Sequence, residues 1–509
     1  MSTSLRDQPP RRGPLQSGCS DRPHSPGVPC PRLNSATALD RRSWLARASG
    51  GILGAALASL LGEERRALAA PTADLSPKPP HHEPRARAVI QLFMNGGPSQ
   101  MDLFDPKPEL ERRHGEPYFD RIAGEVENAT AAGAIMRSAF RFAQHGQSGA
   151  WVSELLPHTA QVADELAFIR SMYTDNLTHE PALWIIHSGH MLPGQPTLGA
   201  WVTYALGSEN QNLPAYVVLD DPQGLPVGGV QNWQSGYLPP VYQGTRFRAV
   251  GSPVLNLHPQ FEEPQLVTTV ERKLLAALDR RHREQRPGQP ALDGRLASYE
   301  LAGRMQLAAS DALDLSGETE ATLEAYGIGK QPTDSYGRRC LIARRLVERG
   351  VRFVQLFIAG QIWDNHTNLS TELRNACEQT DQPVAALVAD LRQRGLLDTT
   401  LVLWGGEFGR LPIAQLPADG NESQAGRDHN KNAFTVWLAG GGVRGGITFG
   451  ATDDLGLAAV ENRVSVADWH ATIYHLLGLD YEQVYYERNG LRERLTGVKP
   501  ARVVREILA

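Results

Sequence analysis

The sequence predicts an α/β fold in which a mainly parallel sheet is sandwiched between helices. Six short apolar runs have the length of buried strands, and the first of them ends at an Asn-Gly-Gly-Pro turn at 95–98. Helical stretches alternate with these runs, most clearly at 381–394, where apolar residues recur every three to four positions. Because alternating strands and helices build parallel sheets that are covered on both faces, the pattern favours this fold class.

The composition is that of an ordinary globular chain. Of the 509 residues, 41% are hydrophobic and 21% are charged, and the formal net charge is −5. An acidic balance argues against a nucleic-acid binder, which usually carries a basic face. Four cysteines are too few for a disulfide scaffold, and no run of 18 apolar residues suggests a membrane-spanning helix.

Residues 1–69 have the features of a leader that contains an export signal. Residues 1–40 hold seven of the 35 prolines and no periodicity, which predicts disorder. Arg41 and Arg42 then precede a weakly apolar run at 48–61 and a small-residue cleavage site at 67–69, the order of a twin-arginine signal. We therefore expect transient contact with the twin-arginine (Tat) export machinery and a periplasmic or extracellular location. Without this leader the net charge is −10.

The remaining chain is expected to consist of a linker at 70–87 and one α/β domain at 88–498. Long charged helical segments at 265–345 predict a helical insertion in that domain. The glycine-rich stretch 440–446 lacks the lysine and the spacing of a phosphate-binding loop, which predicts a turn. The predicted strands are 88–94, 166–172, 215–219, 351–358, 400–404 and 434–439.

Acidic residues and histidines gather at the ends of these predicted strands. In open parallel sheets, the chemistry lies in the crevice beyond the carboxyl ends of the strands. Mixed carboxylate and imidazole side chains suit Zn²⁺, Mn²⁺ and similar cations. Each group alone is also typical of an ordinary loop or helix cap, but the repetition at five strand ends favours a site. The residues are Asn95, Ser99, Asp102 and Asp105; Asp175, Thr178 and His179; Asp364 and His366; Glu407 and Arg410; and Arg427, Asp428 and His429.

Several of these segments resemble a bacterial family labelled domain of unknown function 1501. The resemblance runs from about residue 88 to residue 490, and it is specific because many motifs occur in the same order. This family in turn resembles the alkaline phosphatase/sulfatase superfamily, which implies an alkaline-phosphatase-like sheet between helices. The matching motifs lie at 94–108, 169–172 with His179, 363–366, 406–410, 426–430, 437–442 and 468–472.

The resemblance also implies roles for individual residues. Thr178 or His179 would stand at the attacking end of the superfamily's nucleophile segment. Asp364 and His366 resemble the ligand pair of one metal, and His429 resembles the histidine that completes the first metal site. Superfamily members use two metals and an alcohol or formylglycine nucleophile, which implies one or two divalent ions, Zn, Mn or Ca.

At other positions the sequence departs from the superfamily pattern. Glu407 is expected as a further metal ligand, at a strand end where many relatives have an Asp-His pair, and Phe408 stands where that histidine would be. Asn95 stands where relatives offer a metal-binding aspartate, and an amide supplies one carbonyl oxygen without charge. His470 opens an expected helix at 471–477 that is a structural element in many relatives.

Together these observations predict an exported, metal-dependent hydrolase of phosphate or sulfate esters. It would not use formylglycine, because neither Cys340 nor Cys377 lies in the C-x-P-x-R motif that forms it. A cation would lower the pKa of a nucleophile, and His179 would act as general acid or base. Arg410 or Arg427 would clamp a small anionic substrate that is sulfated or phosphorylated.

Two other function classes compete with this hypothesis. A binding or scaffold protein that kept the fold and lost the reaction is favoured by Asn95 and Phe408, and by the open choice of nucleophile. A carbohydrate hydrolase with paired carboxylates is disfavoured because the acids occur together with histidines. Metal content and a screen of phosphate and sulfate monoesters distinguish the alternatives.

Overall fold

The computed structural model describes residues 75–248, 264–286 and 289–509. The predicted leader and export signal lie outside the described residues. All described residues belong to one unit, Ala69–Ala509. Among them, no helix is long and apolar enough to cross a membrane.

The strands of the described residues are short, and the longest has eight residues. They are β1 Ala88–Phe93, β2 Ala132–Ile135, β3 Phe142–His145, β4 Ala150–Ser153, β5 Leu166–Tyr173, β6 Tyr216–Leu219, β7 Thr245–Phe247, β8 Phe353–Leu356, β9 Thr400–Gly405, β10 Gly409–Arg410, β11 Ile413–Gln415, β12 His429–Asn430, β13 Phe434–Ala439, β14 Ile447–Phe449, β15 Ala451–Thr452, β16 Ala459–Glu461, β17 Val464–Ser465, β18 Tyr486–Arg488 and β19 Leu491–Glu493.

The α-helices of the same residues range from four to 25 residues. They are α1 Gln100–Leu103, α2 Pro108–Arg112, α3 Phe119–Ile122, α4 His179–Ser188, α5 Leu198–Leu206, α6 Gln265–Glu284, α7 Pro290–Leu313, α8 Glu320–Ala325, α9 Asp334–Glu348, α10 Leu369–Gln393 and α11 Val466–Leu476.

A nine-stranded sheet forms the centre of the fold. Its order is β14-β5-β13-β9-β1-β8-β6-β7, and β17 also pairs with β5. Every residue of β1, β6, β8 and β13 is buried. Because successive side chains of a strand point to opposite faces, this burial means that both faces of the sheet are covered. Helix α9 packs against β1 and β8, and α5 packs against β6 and β8.

The predicted fold class is confirmed, and the six predicted strands agree with the observed ones to within two residues at each end. They were predictable because continuous apolar runs of this length are typical of strands that are buried on both faces. The predicted helix at 381–394 is the second half of α10, which ends at Gln393 and is followed by Gly395 in a left-handed conformation. That glycine turns the chain into β9.

One central strand runs against the others. Strands β1, β8 and β9 pair in parallel, whereas β13 pairs antiparallel with both β9 and β5. Strand β5 therefore has the same direction as β9, and the carboxyl ends of β1, β5, β8 and β9 meet at one edge of the sheet. Because β13 is reversed, the segment before it reaches that same edge.

Candidate metal centre

Four side chains from three strand connections converge at this edge of the sheet. His179 is the first residue of α4 in the connection after β5, Asp364 and His366 lie in the connection after β8, and His429 lies in β12, just before β13. The two-residue ladder between β10 and β12 pairs Arg410 with His429 and holds the latter at the edge.

The carboxylate of Asp364 lies at the centre of this group. Its Oδ1 is 2.9 Å from His366 Nε2 and 3.1 Å from His429 Nε2, and its Oδ2 is 3.2 Å from His179 Nε2. One ligand atom from each of these four residues lies within 4.8 Å of the other three, so the group could hold a metal ion. In a tetrahedral site with bonds of about 2.0–2.1 Å, two ligand atoms are about 3.4 Å apart, so these atoms would draw closer together around a cation.

Each of the three histidines also has its other ring nitrogen beside a side-chain oxygen. The pairs are His179 Nδ1–Glu407 Oε1 at 2.7 Å, His366 Nδ1–Gln415 Oε1 at 2.5 Å and His429 Nδ1–Glu127 Oε2 at 2.5 Å. These oxygens accept hydrogen bonds, so each ring could keep a proton on Nδ1 while its Nε2 binds a cation. Metal-ligating histidines almost always have such a partner for the second nitrogen, which fixes the ring and the tautomer.

The burial of these atoms also fits a cation. The Nε2 atom of His179 is buried and has no aligned hydrogen-bond partner, although it lies close to Asp364. A buried nitrogen without a partner costs free energy, and coordination of a cation would satisfy it.

The charges of the group are strongly coupled. Burial raises the pKa of Asp364, but hydrogen bonds from the three histidines and the Arg410 guanidinium outweigh it and hold that pKa well below its usual range. Burial lowers the pKa of His179, but the carboxylates of Asp364 and Glu407 on either side of the ring raise it to about 9. Without a cation, the centre therefore keeps an ionised aspartate next to a protonated His179.

Glu407 supports His179 from a fully buried position. Its carboxylate accepts the backbone N–H of Gly96 at 3.0 and 3.2 Å and also faces His179 Nδ1. Gly96 has a φ of +117°, and a Cβ there would lie 2.6 Å from the backbone nitrogen of Asp364. A glycine is therefore required where the loop after β1 touches the loop that carries Asp364.

The positions of two residues in the structure differ from the roles predicted for them. Asp364, His366 and His429, which were predicted as metal ligands, lie together, and the fourth member of the group is His179, which was predicted as a catalytic acid or base. Glu407, predicted as a metal ligand, lies outside the group of four, on the far side of the His179 ring. Both ring nitrogens of His179 face carboxylates, so neither one is free for proton transfer to a substrate.

Thr178 is an exposed residue beside the centre. It precedes His179 as the N-cap of α4, and its hydroxyl donates to Glu127 Oε1 at 3.1 Å. Glu127 thus contacts both Thr178 and the His429 ring. The hydrogen bond with His429 lowers the pKa of Glu127, so this carboxylate stays ionised.

The predicted substrate clamp by Arg410 or Arg427 is corrected by the structure. Both guanidinium groups are fully buried and hold loops together, because buried backbone carbonyls need donors. Arg410 donates to the carbonyls of Gly96, Gly97, Trp363 and Arg427 and, at 2.6 Å, to Asp364 Oδ1. Arg427 donates to Asp102 Oδ2 at 2.8 Å and to the carbonyls of Leu411, Met136 and Arg137.

The remaining candidates lie around the centre or away from it. Asp102 accepts from Ser99 as well as from Arg427, so these two residues belong to the buried support of the loops. Asp428 accepts the backbone N–H groups of Asn128 and His429. It forms a second possible metal group with Glu127 and His429, but that group shares His429 with the first.

Asn95 and His470 also have structural partners. The amide of Asn95 donates to the Gly360 carbonyl, and its buried Oδ1 has no hydrogen-bond partner. His470 is fully buried in α11 with Nε2 2.9 Å from the Ile186 carbonyl, and burial lowers its pKa to about 4. It packs under the carboxyl half of α4, which agrees with a structural role.

Two residues of the centre were not singled out from the sequence. Glu127 and Gln415 contact His429 and His366, yet neither follows a strand of the central sheet. Glu127 lies in an irregular segment without periodicity, and Gln415 ends the three-residue strand β11. The sequence carries no local signal for either contact.

The fold and the site define an α/β protein with a partly buried His₃Asp group that could hold a metal ion. A family model described as "Protein of unknown function (DUF1501)" matches residues 86–508, and the chain belongs to this family. The predicted family is thereby confirmed. A search of the curated proteins found no match.

Solved structures that match the chain include alkaline phosphatases and sulfatases. The PsFucS1 sulfatase from Pseudoalteromonas sp. has a TM-score of 0.34 and 14% identity, with coverage of 78% of this chain and 68% of that chain. The alkaline phosphatase from the Antarctic bacterium TAB5 has a TM-score of 0.26 and 11% identity, with coverage of 70% and 92%. The phosphonate monoester hydrolase SpPMH from Silicibacter pomeroyi has a TM-score of 0.31 and 9% identity, with coverage of 83% and 76%.

Proposed function

We propose that the protein is a metal-dependent hydrolase of phosphate or sulfate esters that does not use formylglycine. One observation carries the proposal: three histidine Nε2 atoms meet around Asp364, while each Nδ1 faces its own side-chain acceptor. Structural histidines have no need of such a shared orientation, whereas metal ligands do.

The proposed ligands are His179, Asp364, His366 and His429. Three imidazole nitrogens and one carboxylate suit Zn²⁺ or Mn²⁺, whereas Ca²⁺ prefers oxygen ligands. We propose a single cation, because the second possible group shares His429 and because Asp428 already accepts two backbone N–H groups. Bound there, the cation supplies Lewis-acid chemistry for an ester oxygen.

The protein residues would orient the reactants. Thr178 is proposed as the nucleophile because it is exposed beside the centre and its hydroxyl is oriented by Glu127. Arg410 fixes the Asp364 carboxylate, and Glu407 fixes the His179 ring. Arg410 and Arg427 already donate hydrogen bonds to buried carbonyls. The cation, rather than an arginine, would therefore bind the negatively charged group of the ester.

The test is metal analysis together with an ester screen on the purified chain. We expect about one equivalent of Zn or Mn, and hydrolysis of nitrophenyl phosphate, phosphodiester or sulfate by the loaded protein. Asp364→Asn and His429→Ala should lose both the metal and the activity, whereas His145→Ala, in β3, should keep both. Absence of bound metal, or unchanged hydrolysis in Asp364→Asn, would contradict the proposal.

A second candidate is a metal-binding protein without hydrolase activity. The buried ring of Phe408 favours it, because its centroid lies 4.9 Å from the His179 ring and 4.4 Å from the His429 ring. An apolar side chain thus fills the side of the centre where a further ligand could approach. Stoichiometric metal with no turnover of any ester, in wild type and in Thr178→Ala alike, would favour this candidate.

We further propose that the chain is exported by the twin-arginine route, on the basis of Arg41, Arg42 and the apolar run at 48–61. Cell fractionation with N-terminal sequencing tests this. Replacement of both arginines by lysine should retain the protein inside the cell, and unchanged export would contradict the proposal.

A further inference from the structure

Helix α6 exposes an apolar stripe that no described residue covers. The side chains of Val267, Val270, Leu274, Leu275 and Leu278 are between 42% and 59% exposed. At 3.6 residues per turn, four of the five fall within an arc of about 80°, and Leu275 lies next to it. Scattered exposed apolar residues are normal in proteins, but a contiguous stripe on one helix marks a surface that binds something.

The same segment is basic, although the chain as a whole is acidic. Residues 265–286 contain six Lys or Arg against three Asp or Glu, while the whole chain has a net charge of −5. By helical position, Lys273 and Arg280 lie along one side of the stripe, Arg281 follows it in the last turn, and one acidic residue, Glu271, falls between Leu278 and Leu275. Long basic side chains at the border of an apolar stripe can reach anionic groups while the apolar residues insert.

Among the described residues, helix α6 contacts helix α7. Its carboxyl end is held to α7 by Arg283, whose Nε lies 3.0 Å from Asp293 Oδ1. Helix α7 in turn packs into the hydrophobic core through Leu301, Met305 and Ala309. The apolar stripe of α6 is therefore presented on an outer element, where a flat surface could reach it.

We infer that α6 docks the protein on an anionic membrane surface. An apolar stripe beside a basic face on a helix of low overall hydrophobicity is the pattern of helices that lie in the lipid interface. Attraction of the basic residues to anionic headgroups adds to the apolar insertion. Because the rest of the chain carries a net negative charge, anionic lipids would repel it. The protein would therefore approach such a membrane with α6 facing the lipids.

A second copy of the chain fits this surface less well. Pairing two α6 helices would bring two segments of net charge +3 together, and like charges across an interface oppose association. A membrane with anionic lipids presents the opposite charge over the whole length of the stripe. The inference does not depend on the proposed hydrolase activity, since it uses no residue of the metal centre.

The test is binding of the full chain to phosphatidylcholine vesicles with and without phosphatidylglycerol. Hydrogen exchange should show protection of the α6 backbone only with the anionic vesicles, and raised salt should reduce it. Because the apolar leader segment is the same in every variant, the exchange of α6 peptides separates its contribution from that of the helix.

Two double variants test whether the apolar stripe of α6 is the surface that binds the vesicles. The double variant Leu274→Asp, Leu278→Asp should lower vesicle partitioning attributable to α6 by at least about tenfold and abolish the protection of α6. The matched control Val460→Asp, Leu491→Asp changes two equally exposed apolar residues elsewhere and should bind like the wild type. Thermal unfolding of each variant checks that the fold is intact.

The inference would be overturned by equal protection of α6 by neutral vesicles, by no protection by either kind of vesicle, or by unchanged binding of the α6 double variant. A wild-type dimer in sedimentation that the α6 double variant dissociates would assign the stripe to a second copy of the chain, and would overturn it as well.

Discussion

Glu407 Oε1 lies 2.7 Å from His179 Nδ1, on the side of the imidazole ring opposite Asp364. The ring is therefore held between two carboxylates, one fully buried and one at the centre of the His₃Asp group. In this arrangement the inner carboxylate and the ring would contact a cation, while the outer carboxylate sets the orientation and the basicity of the ring.

Glu407→Gln should weaken metal binding without unfolding the protein. The glutamine carbonyl can still accept from His179 Nδ1, but the charge that raises the basicity of the ring is lost. We expect metal affinity to fall by about 10- to 100-fold, measured by competition with a chelator. Glu487→Gln, at an exposed position in β18, is the matched control. Unchanged affinity in Glu407→Gln would contradict a supporting role for this carboxylate.

Metal binding at neutral pH should release about one proton. Since the pKa of His179 is raised to about 9 in the metal-free protein, this ring is charged at pH 7 and must lose a proton to bind a cation. Apparent affinity should therefore rise up to about tenfold per pH unit and level off near pH 9. Titration calorimetry in buffers with different ionisation enthalpies measures the proton count, and a count of zero would refute the prediction.

The raised pKa of His179 also predicts how the stability of the metal-free protein depends on pH. A raised pKa means that protonation of His179 stabilises the fold; the contribution is complete below the ordinary pKa of 6.5 and disappears as pH rises through about 9. The unfolding midpoint of the metal-free chain should fall over this range. The metal-loaded chain should not show this fall, because its His179 is already neutral.

Gly96→Ala should destabilise the protein more than Gly115→Ala. Both glycines have positive φ angles, of +117° and +83°, so an alanine at either position carries backbone strain of about 1–2 kcal/mol. A Cβ at Gly96 would also clash with the backbone of Trp363 and Asp364, whereas nothing lies within 4 Å at Gly115. Denaturant unfolding of both variants compares the two costs, and equal destabilisation would contradict the close approach at Gly96.

Arg410→Lys should cost about 3–5 kcal/mol of stability and reduce metal retention. A lysine cannot reproduce the planar set of donors that satisfies four backbone carbonyls and Asp364, and several buried acceptors would lose their partners. Arg141→Lys, at an exposed position, should change stability by less than about 0.5 kcal/mol. Similar unfolding free energies for the two variants would show that the Arg410 contacts contribute little.

The fold could be predicted because its strands are continuous apolar runs between turns, and such runs fix the strands without knowledge of their neighbours. The direction of β13 could not be predicted this way. An apolar run such as 434–439 does not indicate the direction in which its strand will lie in the sheet. The antiparallel direction of β13 is seen only in its pairing with β5 and β9. The sequence shows that His429 precedes this strand. It does not show that the strand is reversed, which is what brings His429 to the same edge of the sheet as the other residues.

The site could be predicted in part for a similar reason. Strand ends gather at one edge, so Asp364, His366 and His429 were identifiable from their positions alone. The partners of the histidines were not, because Glu127 and Gln415 reach the centre through tertiary contacts. The roles of Arg410 and Arg427 depend on where their N–H groups point, and a sequence does not show whether an arginine faces a substrate or a backbone carbonyl.

The reversal of β13 also bears on how the protein is made. His429 is synthesised last of the four residues in the His₃Asp group, and it reaches the sheet edge only when β13 has been inserted between β5 and β9. A nascent chain on the ribosome therefore cannot assemble this centre until its middle strands are all in place. Uptake of a cation would therefore mark a chain in which β13 has already taken its place between β5 and β9.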